Sequence, residues 1–135
     1  MSLNIGLEVL TPQGSTARYQ QKMQATVLGK QVDLHVIMTS DRPFFSKKML
    51  VLYLDASSNI GKYVEQIMTN AVEEFPSEKL TKQDLVRGLE YVSMKIFGKG
   101  ERAGLEVGYA IRGDEHIFSQ EFVDGKAVAG VRADG

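Results

Sequence analysis

The stretch Asp55-Ala56-Ser57-Ser58-Asn59 is the first place in this chain to look for a ligand site. It sets a carboxylate, two hydroxyls and an amide just ahead of a helical pattern. Unpaired backbone N–H groups and the helix dipole at such a start attract anions. The same residue types also cap helices without any ligand. Gly61-Lys62 follows, but the glycine spacing of a Walker phosphate loop is absent. Two histidines, His35 and His116, have no cysteine partner anywhere and no second histidine four residues away, so no zinc site and no resident cofactor are expected. His35 and Glu106 remain ligand-binding candidates beside Asp55, Ser57, Ser58 and Asn59.

Other motifs carry less. Arg42-Pro43-Phe44-Phe45-Ser46-Lys47-Lys48 mixes basic and aromatic residues, a mix that can stack on bases and hold phosphates. It equally describes a loop that folds phenylalanines over a sheet edge and guards it with lysines. No second basic run matches it and the net charge is -1, so nucleic acid is not the favoured partner. Arg112-Gly113-Asp114 reads as a tight turn. Glu73, Glu74, Glu78 and Asp84 read as a solvated end, and Lys95, Lys99 and Arg102 as charges offsetting a helix C-terminus. No glycine-flanked strained serine is present, and no carboxylate pair is placed for acid–base work. No catalytic residue is assigned, and the expectation leans away from an enzyme.

The elements that must position these residues follow from a change of period. Apolar residues recur every second position from Tyr19 to Leu54, every third or fourth from Ile60 to Phe97, and every second again from Leu105. That pattern predicts one α+β domain over 1–135, a mostly antiparallel sheet with a two-helix hairpin packed on one face. At 135 residues, 43% apolar and 24% charged, the chain has an ordinary globular composition. No apolar run is long enough to span a bilayer, no secretory signal is visible, and zero cysteines suits a reducing compartment. Cytoplasmic placement is the expectation. Met1-Ser2-Leu3 has the look of a leader.

In detail, Leu3 to Val9 reads as a short strand closed by a turn at Thr11 to Ser15. Arg18–Leu28 and Gln31–Thr39 form a hairpin about Gly29-Lys30, with Val27 opposite Val32, Ala25 opposite Leu34 and Met23 opposite Val36. Gln24, Thr26, Asp33 and His35 then fall on the other face. Met49 to Asp55 reads as a central strand, apolar on both sides. The first helix carries the stripe Ile60, Tyr63, Val64, Ile67, Met68, Ala71, Val72 and Phe75, with Ser57, Ser58 or Asn59 to cap it and Pro76 to end it. The second opens at Thr81 and Asp84, buries Leu85, Leu89, Val92 and Ile96, and stops at Gly98. Gly88 sits on its buried face. Tyr109 pairs beside Phe118 and Leu105 beside Phe122; a further turn at 123–126 precedes a last strand from Lys126 to Val131, and residues 133–135 fray.

In element order only, the stretch Arg18 to Phe122 resembles the tunnelling fold of pterin- and purine-handling enzymes. That resemblance implies histidine-held zinc on the first strands, where this chain has only His35. It also implies a glutamate or glutamine anchor near the later elements. Gly108 and Ala110 cannot supply one, and Glu106 is the nearest candidate.

Met49, Val51 and Tyr53, with Ile37, predict a second sheet face too apolar for water, while Gln24, Thr26, His35, Gly108 and Ser119 are too mild for a core. The expected function is therefore binding or assembly through the sheet as a homo-oligomer, most simply a dimer. The alternatives are a small-ligand protein or enzyme, taking an anionic or heterocyclic ligand at a subunit edge near Asp55, His35 and Glu106, and a nucleic-acid module using residues 42–48. No membrane partner is expected.

Overall fold

The computed structural model describes residues 9–13, 16–76, 79, 81–114, 116–123 and 125–134. Its elements run β1 (Val9–Gln13), β2 (Thr16–Val27), β3 (Lys30–Ser40), α1 (Lys47–Ser58), α2 (Ile60–Glu74), α3 (Lys82–Gly88), β4 (Leu89–Lys99), β5 (Arg102–Ile111), β6 (Ile117–Val123), β7 (Lys126–Ala127) and β8 (Arg132–Asp134). The strands form a single sheet in the order β1-β2-β3-β4-β5-β6-β7, with β8 also pairing β6. Every pairing is antiparallel except β3 with β4, which is parallel and bridged by the helices. The architecture is thus the α+β class expected from the change of period.

Alternation builds the sheet. Val32, Leu34, Val36 and Met38 on β3, Val92, Met94 and Ile96 on β4, and Leu105, Val107 and Tyr109 on β5 are all buried. The helices supply the opposing surface with Met49, Tyr53 and Ala56 from α1 and Ile60, Tyr63, Val64, Ile67, Met68 and Ala71 from α2. The α2 stripe matches the predicted one, because its spacing of three and four places a single face on the sheet. Gly98 lies under Met49, and a Cβ there would collide with the buried thioether, so glycine lets α1 sit close to β4.

Two elements differ from the sequence reading. The segment read as a central strand, Met49 to Asp55, is helix α1. Its buried positions, Met49, Tyr53 and Ala56, follow helical spacing, and the Ser46 hydroxyl accepts the Met49 N–H at its start. A short all-apolar run carries no period of its own, so strand and helix look alike in it. The second helix is a short α3 that ends at Gly88, after which the chain becomes β4. Leu89, Val92 and Ile96 fit a helical stripe by coincidence, while Val92, Met94 and Ile96 carry the true alternation. Gly88 is the last residue of α3 rather than a mid-helix contact, and an added Cβ there would meet Ile111 Cβ at 3.4 Å.

Turns shift the details. The first hairpin turns at Leu28-Gly29, both at positive φ (51° and 78°), as a type I′ turn requires. Ala25 therefore pairs Val32 and Met23 pairs Leu34, two residues from the expected register but on the expected faces. Tyr109 pairs Phe118 and Leu105 pairs Phe122, as expected. Val123 pairs Lys126 around the third turn, and β7 is short. Ala133 does not fray but pairs Phe118 in β8. Thr11-Pro12-Gln13, expected in a turn, belongs to β1. The expected strand from Leu3 falls outside the described residues up to Val9, as do Ser2, Gly14, Glu78 and Gly135.

Candidate functional site

Two regions carry polar side chains that the fold does not consume: the sheet face away from the helices, and a cleft beside the junction of α1 and α2.

Among the described residues nothing covers the second sheet face. Its rows follow the register. Lys22, His35, Ser93, Gly108, Ser119 and Arg132 lie side by side across β2, β3, β4, β5, β6 and β8. The next row runs Gln20, Ile37, Lys95, Glu106 and Glu121. The small residues make a trough: Ser93 and Ser119 are buried at 8% and 7% exposure although no element of the described residues lies over them. Larger side chains rim it. Phe97 leans over Gly104, and Phe97, Ile117 and Val123 are exposed at 40%, 41% and 46%.

Charged side chains stand toward both edges of this face. Arg18 and Lys22 stand on β2. Toward the other edge Glu106 accepts from Arg132 Nη2 at 2.6 Å and meets Lys95 Nζ at 3.7 Å, and Glu121 lies 3.4 Å from the same guanidinium. His35 sits between the two sets. Its Nδ1 is 3.3 Å from the Tyr91 hydroxyl and its Nε2 is buried without a partner among the described residues. Burial, then the positive charges of Lys22, Lys95 and Arg18, hold its pKa below 6.5.

The cleft measures about 350 Å³ and is lined by Asp55, Asn59, Lys62, Tyr63, Gln66, Phe122 and Gly125. Asn59 is the single residue between α1 and α2. Its Nδ2 donates to the Asp55 carbonyl (2.9 Å) and to Oδ1 (3.1 Å), and the Tyr63 hydroxyl donates to Oδ2 (3.0 Å). Burial, the hydrogen bond to Asp55 and its charge push the Tyr63 phenol to about 12, so it stays a donor at neutral pH. Tyr63 packs edge-to-face on Phe122 with ring centroids 4.9 Å apart, and both rings are buried at the edge of the cleft. Gln66 Nε2 donates to Asn70 Oδ1 at 3.0 Å, Asn70 Nδ2 to the buried Gln120 Oε1 at 2.8 Å, and Gln120 Nε2 to the Ala129 carbonyl at 2.7 Å. This amide chain, with Glu74 accepting the Val131 N–H at 3.1 Å, ties the last residues to α2.

The structure thus splits the six ligand candidates. Asp55 and Asn59 share the cleft. Ser57 is engaged by the Tyr53 phenol and Ser58 is exposed, so neither caps α2, which has no side-chain cap. His35 and Glu106 lie on the far side of the sheet. The four residues read as one interface separate as well. Met49 and Tyr53 are buried under the helices, Val51 points outward from α1 at 56% exposure, and Ile37 alone lies on the uncovered sheet face. The reason is again the helical geometry of α1.

Tyr91, Ser93 and Phe97 lie in a stretch that also fits a helical period, and Lys62, Tyr63, Gln66 and Gly125 carry no site signal in the sequence, yet the structure puts the first set on the open face and the second in the cleft. The alternation from Val92 was the available signal for the first set. Nothing in the spacing marks the second, which arises where β6 meets α2. In the loop before α1, Arg42 rests over Phe44 at 5.9 Å from its centroid, so those two residues are at least partly engaged with each other. No helix is long and apolar enough to cross a membrane, and no group of three or more His, Asp or Glu side chains converges for a metal among the described residues. Comparison with protein families, with curated proteins and with solved structures found no match.

Proposed function

We propose that this chain is a binding and assembly protein whose uncovered sheet face docks on a second copy of itself. The observation that carries the reading is the face itself: one sheet, helices on one side, and on the other a small-residue trough rimmed by Ile37, Phe97, Ile117 and Val123. Apolar rims of this kind favour a partner over water.

Charge and size favour a copy of the same chain. With a two-fold axis along β4, the central strand, β2 of one copy faces β6 of the other. Arg18 and Lys22 of one copy then flank Glu121 of the other, which gives the positive edge strand an opposite charge, while Lys95 lies on the axis. The strands from β2 to β6, about 4.8 Å apart and each about eight residues long, make a face of roughly 25 Å by 25 Å, on the order of 600 Å² per copy. Two copies would bury ~1,200 Å², at the lower end of specific interfaces. The expected association is accordingly modest and salt-sensitive. A cysteine-free chain suits the cytoplasm, which is part of this reading.

Sedimentation at micromolar concentration should give twice the chain mass, and Ile37→Lys should return it to one chain while the fold stays intact. A wild-type protein that remains monomeric throughout, or a mass unchanged by Ile37→Lys, overturns the reading. A monomer whose sheet-face signals respond to a single-stranded oligonucleotide, with steep salt dependence, would put nucleic acid in the place of the second copy.

A further inference from the structure

We infer that the cleft between Asn59 and Gly125 is a second binding site, built for a zwitterionic small molecule of the amino-acid type. The site lies where α2 meets β6 on the helix side of the sheet and is independent of the sheet-face reading.

Three features of the cleft fit one ligand. The Asp55 carboxylate is pre-oriented: Asn59 donates to Oδ1 and Tyr63 to Oδ2. A carboxylate can accept about four hydrogen bonds, so two acceptor positions remain for an incoming ammonium group. Second, Lys62 lies on the same rim, exposed and without an ion pair among the described residues. It supplies a mobile positive charge for a carboxylate. Third, the buried Tyr63 and Phe122 rings line the cleft with their edges, so its floor is partly aromatic. One negative and one positive group over a partly aromatic floor match a molecule with ammonium, carboxylate and an apolar side chain. A plain anion would meet Asp55, and a plain cation would meet Lys62.

The volume, about 350 Å³, is at the small end of ligand sites. It suits a ligand of about a dozen heavy atoms, for which ordinary efficiency per atom gives a Kd of roughly 1 mM. The hydrogen bonds to Asp55 also brace the junction of α1 and α2, so a bound ligand rests on a joint that is already set. That lowers the ordering cost of binding.

The test uses L-phenylalanine, phenethylamine (which lacks the carboxylate) and 3-phenylpropionate (which lacks the ammonium), followed by amide chemical shifts of the full chain. L-Phenylalanine should saturate, with shifts centred on Asn59, Gly61, Lys62 and Gly125, and should bind at least tenfold tighter than either analogue. Lys62→Gln, at an exposed position, should bring phenylalanine down to the level of phenethylamine and leave phenethylamine unchanged. Asp55→Asn should do the converse with 3-phenylpropionate, its melting temperature being recorded because the brace is altered. Absence of saturable shifts at 10-fold above the expected Kd, equal binding of all three probes, or shifts confined to the sheet face would overturn the assignment. Loss of self-association in the sheet variants should leave phenylalanine binding unchanged, which separates this inference from the dimer.

Discussion

Val92, Met94 and Ile96 point from β4 into the helix layer, while Tyr91, Ser93, Lys95 and Phe97, alternating with them on the same strand, point the other way. The first set is sealed, each member at 1% exposure or less. The second is a hydroxyl pair, a lysine in an ion network and a half-open ring, with no element over it among the described residues. The covered face is specified by volume, since close-packed cores feel every methylene. The uncovered face is specified by small side chains and paired charges. Under the proposed dimer, stability and interaction fall on opposite sides of one strand, and substitutions should separate them.

The largest expected effect is on the covered side. Met94→Ala should cost the protomer ~2–4 kcal/mol, the range for emptying a fully buried site of this size, read from a shifted urea midpoint. A cost under about 1 kcal/mol would mean that the helix layer packs loosely on β4. Phe97→Lys, three residues along and on the other side, should leave protomer stability within about 1 kcal/mol and weaken self-association about tenfold. If instead it unfolded the protein, the Phe97 ring over Gly104 would belong to the core.

A smaller effect comes from His35, at the middle of the open face. Its folded pKa is lowered, by burial first and then by Lys22, Lys95 and Arg18. The unfolded chain binds its proton near 6.5 and the folded chain resists it. Stability should thus be full above pH 6.5, decline as pH falls through that value, and level off below the folded pKa. The partial exposure of His35 keeps the decline shallow. Urea midpoints at pH 8 and pH 5.5 should differ more for the wild type than for His35→Gln, and equal differences would remove His35 from the account. The smallest effect is expected from Val51→Lys on the outer side of α1, within about 0.5 kcal/mol and without change in mass. A dissociated or unfolded Val51→Lys protein would restore the interface through Val51.

These contrasts also show what was legible in the residues. Strict alternation in Met23 to Val36 and in Leu105 to Ile111 assigned faces well, even though the first hairpin is out of register by two. A shift of two preserves the faces, whereas a shift of one would have exchanged them. The α2 stripe was equally clear. Met49 to Leu54 and Leu89 to Ile96 were not, because each fits both periods over a short window and only tertiary burial decides between them. The open face was foreseen through Gln24, Thr26, His35, Ile37, Gly108 and Ser119. Its ion-pair network was not, since it depends on which strands become neighbours. The cleft was reached only through Asp55 and Asn59, and for another reason, as an expected strand end and cap that turned out to be a helix junction.

The parallel pairing of β3 with β4 has a consequence for how the chain finds its fold. Within the hairpin of β2 and β3, and within the meander of β4, β5 and β6, each strand pairs with its sequence neighbour across a short turn. Joining these two pieces requires Ser40 and Leu89 to be brought to adjacent strands across all three helices. Local pairings close at little entropic cost and this one closes a long loop, so the seam between β3 and β4 should form last and set the rate of folding. Pulsed hydrogen exchange should find amides within the hairpin and the meander protected before those exchanged between Asp33–Ser40 and Tyr91–Gly98.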